Sequence, residues 1–205
     1  MDVPASTLVI ACGALAKEIV ALRQANGWSH IDVTCLPAEL HNRPEKIPEA
    51  VRDKILRFRS RYEHLFVAYA DCGTGGLLDA VLAEAGVERI AGAHCYEFYA
   101  GASAFEHLAE QEIGTFYLTD FLLRHFDRLV IHGLGIDMHP ELMPLYFGNY
   151  KKLVYLAQLE SGEGRARGQS AADRLGLAFE YRVTGYGELS SNLQRVNEKV
   201  IQWQN

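Results

Sequence analysis

The sequence is poor in the features that mark whole classes of protein. Its 205 residues contain no run of lysines or arginines, and the formal net charge is −6. Neutralising a nucleic-acid backbone requires a basic face, so no nucleic-acid partner is expected. No apolar stretch approaches the roughly 18–20 residues that a membrane helix needs. The first residues, Met1-Asp2-Val3-Pro4, lack the basic and long apolar regions of a secretory signal. A cytoplasmic protein without a membrane partner is therefore expected, in a compartment that keeps thiols reduced. There are only four cysteines, and no CxxC, HExxH or HxH pair brings metal ligands together locally. A GxSxG elbow is missing, as is a glycine loop followed by Gly-Lys-Ser/Thr, which excludes the α/β-hydrolase and P-loop readings.

What is present is a globular composition, with a hydrophobic share of 49% and 22% charged residues. The length suits one core, so residues 1–205 are read as a single domain. Short β-rich runs alternate with helical patterns. Strands are expected at residues 7–11, 31–34, 65–69, 89–93, 129–131 and 179–183. Ile47, Val51, Ile55 and Phe58 are spaced four, four and three apart, which places them on one face of a helix, with Pro48 in its first turn. Residues 101–126 read as mostly helical, with Gly114 breaking the run. The stretch 160–169 is rich in Gly, Ser and charge and reads as a mobile loop. Ser190 or Ser191 is expected to cap a last helix with Leu193, Val196 and Val200 on one face. Strands alternating with helices predict a Rossmann-like α/β fold: one doubly wound, mostly parallel sheet with helices on both faces.

In such sheets ligands bind at the carboxyl ends of the strands, above all where the winding reverses. The residues expected there are Cys12, Cys35, Asp71, Cys72, His94, Cys95, Glu97, His132, Asp137 and His139. His41, in the long loop after the second strand, is placed to fold back over the same edge. Cys12-Gly13 and Cys72-Gly73 each follow a strand, and Cys35 and Cys95 each come 23 residues later, as two similar halves would produce. Zinc takes Cys thiolates and His nitrogens, four in structural sites and three in catalytic ones. Cys12, His41, Cys72 and Cys95 are therefore the expected metal ligands, with zinc the expected ion. Each cysteine taken singly reads more readily as a small buried hydrophobe than as a ligand, the set of strand-end positions weakens that reading, and Cys35, followed by Leu36-Pro37, fits it best. The roles of Cys35, His94, His132 and His139 stay open.

Asp71 and Glu97 are the candidates for orienting ligands or moving protons. Gly73, Gly75 and Gly76, at a strand-to-helix turn, are the candidate backbone cradle for an anionic part of a cofactor or small-molecule ligand, or simply a tight turn. A second chemistry is a thiol nucleophile at Cys72, activated at a helix N-terminus. Asp137-Met138-His139 begins like a corrinoid-binding pattern, but Leu142 stands where that pattern has glycine, so corrinoid binding by this chain is rejected.

Several phrases resemble the bacterial and archaeal family known as domain of unknown function 1638. They are Ile10-Ala11-Cys12-Gly13, Leu40-His41-Asn42-Arg43-Pro44 after Leu36-Pro37, Asp71-Cys72-Gly73-Thr74-Gly75-Gly76, the run from Gly114 to Phe121, and the stretch 140–150. The resemblance covers nearly the whole chain. It implies a setting beside corrinoid-dependent methyltransferases, in one-carbon metabolism. In that setting the chain is expected to be a metal-binding protein and, if an enzyme, a metal-thiolate-dependent methyl or small-group transferase. The alternative is a non-catalytic accessory or ligand carrier, with a methyltransferase or corrinoid protein as partner; self-association is left open.

Overall fold

The computed structural model describes residues 6–203, and side chains up to residue 198. The Met1–Pro4 reading and the Val200 side chain lie outside the described residues. The chain divides into two compact units, residues 1–95 with 188–205 and residues 96–187. The first unit runs β1 (Thr7–Cys12), α1 (Ala16–Ala25), β2 (Ile31–Leu36), α2 (Ile47–Phe58), β3 (His64–Ala68), α3 (Leu77–Ala85) and β4 (Glu88–Arg89). Its sheet has the order β2-β1-β3-β4 and every pair is parallel. β1 is buried at all six positions, as a central strand covered on both faces must be, and that is why it reads as an unbroken apolar run. From β1 the chain winds to β2 on one side and then returns to β3 on the other, so the reversal of winding lies between β1 and β3. The apolar stripe expected on α2 is buried at Ile47, Val51 and Ile55.

The second unit contains α4 (Cys95–Ala100), which begins on the last residue of the first unit, then α5 (Ala102–Gln111), β5 (Thr115–Thr119), α6 (Asp120–Arg124), α7 (Met143–Phe147), β6 (Lys152–Ala157), α8 (Gly162–Leu175) and β7 (Ala178–Val183). Its sheet, β5-β6-β7, is also parallel throughout. The chain then returns to the first unit with α9 (Gly187–Trp203).

The expected α/β class with parallel sheets is found, but the strands form two sheets where one was expected over residues 1–205. Two strands stand where the sequence pattern predicts none. Thr115–Thr119 is rich in β-branched and aromatic residues, a strand signal, yet it sits between helices α5 and α6 and was absorbed into a helical stretch. Lys152–Ala157 is the buried centre of the second sheet. Conversely, residues 129–131 are part of a π-helical turn, Asp127–Ile131, since a short apolar run does not distinguish strand from buried helix. Of the fourth strand only Glu88–Arg89 pairs with β3. The supposed mobile loop at 160–169 is largely the start of α8. Ser161 caps that helix by accepting from the Gly164 N–H at 3.0 Å. Gly168 lies where a Cβ would press on the Phe179 and Tyr155 rings at 3.0 Å. Glycines that suggest a loop here serve close helix–sheet packing.

Candidate metal centre

Each of the four strands of the first unit delivers one soft donor near its carboxyl end. Cys12 is the last residue of β1 and is fully buried. Its Sγ accepts from the Ala14 N–H at 3.3 Å. The following Gly13 is required by crowding, because a Cβ there would stand 2.9 Å from the Leu36 carbonyl oxygen. After β2, Pro37 leads into a 3-10 turn, Ala38–Asn42, that carries half-buried His41. Pro44, just beyond, lies against the turn at Gly73.

β3 continues as Tyr69 and Ala70, both wholly enclosed, into Asp71-Cys72. There the Asp71 N–H donates to the Gly92 carbonyl at 3.1 Å and the Cys72 N–H to the Ala93 carbonyl at 2.8 Å. These bonds tie the strand exit to the segment after β4 and so deliver Cys95, at the start of α4, to Cys72. Arg89 holds that segment from the other side. It pairs with Asp79 of α3 at 2.6 and 2.9 Å and donates to the Ile90 carbonyl at 2.8 Å.

The result is a compact cluster. Cys72 Sγ and Cys95 Sγ are 3.0 Å apart, and Cys12 Sγ lies 3.6 Å from His41 Nδ1. Ligand atoms of His41, Cys72 and Cys95 all fall within 4.8 Å of one another. Among the described residues these three form the one group of three or more His, Cys, Asp or Glu side chains that could hold a metal ion. All four cysteines are free thiols.

Cys72 has φ +50°, the only positive value at a non-glycine among the described residues. A left-handed backbone at a side-chain-bearing residue costs about 1–2 kcal/mol, and such strain gathers at functional sites. Asp71 maintains this turn. Its carboxylate accepts from the Thr74 hydroxyl at 2.7 Å and from the N–H groups of Gly75 and Gly76 at 3.1 and 2.9 Å. The Thr74 hydroxyl first, then the Gly76 N–H, hold the Asp71 carboxyl down to about 2.

This arrangement bears on two expectations. The backbone donors assigned to an external anion at Gly75 and Gly76 are taken up by Asp71, the turn's own carboxylate, and Gly73 lies against Pro44. The Asp71 carboxyl, held well below the usual carboxylate range, supports the turn that carries Cys72.

The electrostatics are those of crowded sulfurs and one base. Hydrogen bonding from Cys95 holds the Cys72 thiol down to about 5 against the opposing effect of burial, with His41 adding to the fall. The same contact with Cys72, then burial, pushes Cys95 up, as expected where ionisation of one sulfur opposes that of its neighbour. For His41 burial acts against the imidazolium, but the Cys12 and Cys72 sulfurs outweigh it and push the pKa up to about 11. Without a metal, the imidazolium is thus the cation that the thiolate calls for. A metal ion would take its place and expel the protons.

Other expected residues lie elsewhere. Cys35 is paired in register with Ala11, and Leu36 with Cys12, so strand alternation turns the Cys35 side chain to the opposite face from Cys12. It is half-buried, and burial followed by the Cys12 charge pushes its thiol up. His94 is exposed, and Glu97 is a half-buried residue in the first turn of α4, on the second unit's side of the boundary. His132, Asp137 and His139 follow the π-helical turn of the second unit, not a strand. There His132 Nδ1 pairs with Asp137 at 2.7 Å and His139 Nδ1 with Glu141 at 3.2 Å. The residue that sequence reasoning passed over is Tyr69, because a tyrosine at a strand end reads as core.

The fold and site define a parallel α/β protein with a Cys/His cluster at the winding reversal of its first sheet. The chain belongs to the family Protein of unknown function (DUF1638), whose model matches residues 35–193. No curated protein matches the sequence. Among solved structures, ornithine carbamoyltransferase from Pyrococcus furiosus is similar at 15% identity with a TM-score of 0.29. That match covers 88% of this chain and 55% of the other, so the chain spans about half of that enzyme, and the likeness carries no argument about activity. Among the described residues no helix is long and apolar enough to cross a membrane.

Proposed function

We propose that this chain is a zinc-binding protein whose ion is held by Cys12, His41, Cys72 and Cys95. The observation that supports it is convergence. Ligand atoms of His41, Cys72 and Cys95, from three separate strand ends, lie within 4.8 Å of one another, and Cys12 Sγ adjoins the group 3.6 Å from His41 Nδ1. Sulfur and imidazole donors of this kind suit zinc over magnesium or calcium. The test is elemental analysis of the full chain purified without chelator. Near one equivalent of zinc is expected, falling sharply in Cys72→Ser and Cys95→Ser, and under a tenth of an equivalent overturns the reading.

On this reading the zinc-thiolate site lowers the pKa of an incoming thiol and holds it as a methyl acceptor. The methyl chemistry draws on the resemblance to a family placed beside corrinoid methyltransferases, with a methyltransferase or corrinoid protein as partner. Metal-dependent methyl transfer by the isolated chain supports the enzyme. Stable association with a native methyltransferase without turnover supports the accessory role.

A second reading is favoured by one observation: Cys72 is not fully buried and sits in a left-handed backbone beside Cys95, whose hydrogen bonding lowers its thiol pKa. It makes Cys72 a nucleophile with His41 as its charge partner. Selective alkylation of Cys72 near pH 6 in chelator-treated protein, undiminished by added zinc, would favour it over the metal.

A further inference from the structure

We infer that Tyr69 is a positioning residue of the metal centre, its phenol donating a hydrogen bond to the Cys12 thiolate that metal binding creates. This inference rests on the zinc reading above. Tyr69 is wholly enclosed at the exit of β3, between the strand that ends at Cys12 and the turn that carries Cys72. Its hydroxyl oxygen is buried and makes no well-formed hydrogen bond, with the Cys12 sulfur the nearest candidate acceptor. Yet the sulfurs of Cys12, Cys95 and Cys72 all lie close enough to act on it, Cys12 the most strongly.

A buried hydroxyl without a partner is costly and calls for an explanation. The chemistry of the neighbours provides one. A protonated thiol is a weak acceptor, whereas a thiolate accepts a strong, charge-assisted bond. A metal ion binds only deprotonated sulfur. The metal-free cluster therefore leaves the phenol stranded, and metal loading supplies the acceptor that it lacks. A hydrogen bond at a ligand sulfur orients the ligand and draws electron density from the metal–sulfur bond, as outer-sphere partners generally do.

The two states then respond to Tyr69→Phe with opposite signs. Deleting the hydroxyl removes a stranded polar group from the metal-free protein and a made hydrogen bond from the loaded one. The experiment is a cobalt(II) titration of the full-length wild type and Tyr69→Phe, competed with a chelator, alongside thermal melts of both metal-free proteins. The expected result has three parts: the variant binds cobalt about 10-fold more weakly, its sulfur-to-cobalt charge-transfer band moves to lower energy, and its metal-free form melts no lower than the wild type. Equal affinity with an unmoved band overturns the role of Tyr69 while leaving the metal centre intact. A metal-free variant that is destabilised or unfolded also overturns it, because that marks the hydroxyl as already bonded. If the wild type takes up no cobalt, the metal reading fails first and Tyr69 falls with it.

Discussion

Asp71→Asn separates the turn that presents Cys72 from the cluster that it serves. The carboxylate holds the Thr74 hydroxyl and the Gly75 and Gly76 N–H groups, and an amide of the same shape keeps one oxygen but loses the charge. A carboxyl whose pKa falls from 3.8 to about 2 on folding stabilises by at most about 2.4 kcal/mol at neutral pH. Asp71 is partly open to solvent, so water screens much of this, and about 1 kcal/mol is the realistic figure. The sign follows from the direction. Because folding lowers the pKa, the stabilisation is complete above about pH 4 and is lost as pH falls towards 2. The assay is urea unfolding of chelator-treated wild type and variant at pH 7, 5, 4, 3 and 2, so that lost metal does not enter. A gap of about 1 kcal/mol at pH 7 that closes by pH 2 is expected. A gap that persists unchanged at pH 2, or none at pH 7, would refute the assignment of the carboxylate as the turn's internal anion.

Two further outcomes test other parts of the structure. In metal-free protein Cys72→Gly should be at least as stable as Cys72→Ala, by about 0.5 kcal/mol, because both lack the thiol. Relief of the left-handed strain outweighs the added chain entropy of glycine only modestly; a clearly more stable alanine variant in urea unfolding would contradict a φ of +50° at this residue. In the second unit, Tyr155→Phe removes the hydroxyl that donates to Asp120 Oδ1 at 2.7 Å. A loss of about 1–1.5 kcal/mol is expected for a part-buried bond to a carboxylate that also accepts from the Gln158 N–H at 3.2 Å, and a loss under about 0.5 kcal/mol in thermal or urea unfolding would show that Asp120 is satisfied without it.

The sequence by itself determined the local elements of the first unit and the chemistry available to it. An apolar run at 7–11, a stripe at Ile47, Val51 and Ile55, and a glycine stop at Gly86 are short-range signals, and the structure places β1, α2 and the end of α3 there. The placement of Cys12, His41, Cys72 and Cys95 near strand ends was legible for the same reason, and a parallel sheet was expected to bring them to one edge. How that meeting is built was not legible. It depends on the order β2-β1-β3-β4 and on the Asp71–Gly92 and Cys72–Ala93 bonds, which join segments about 20 residues apart that no local pattern relates. The second sheet was lost on similar grounds. Thr115–Thr119 and Lys152–Ala157 are strands because they pair with each other, and pairing is a tertiary event. Asp71 and the glycines offered an anion and an anion site, and only packed geometry shows that each satisfies the other. Tyr69 looks like core in the sequence and is core in the structure; what distinguishes it is a buried hydroxyl without a partner beside three sulfurs, a property of enclosure that exists only once the chain has folded.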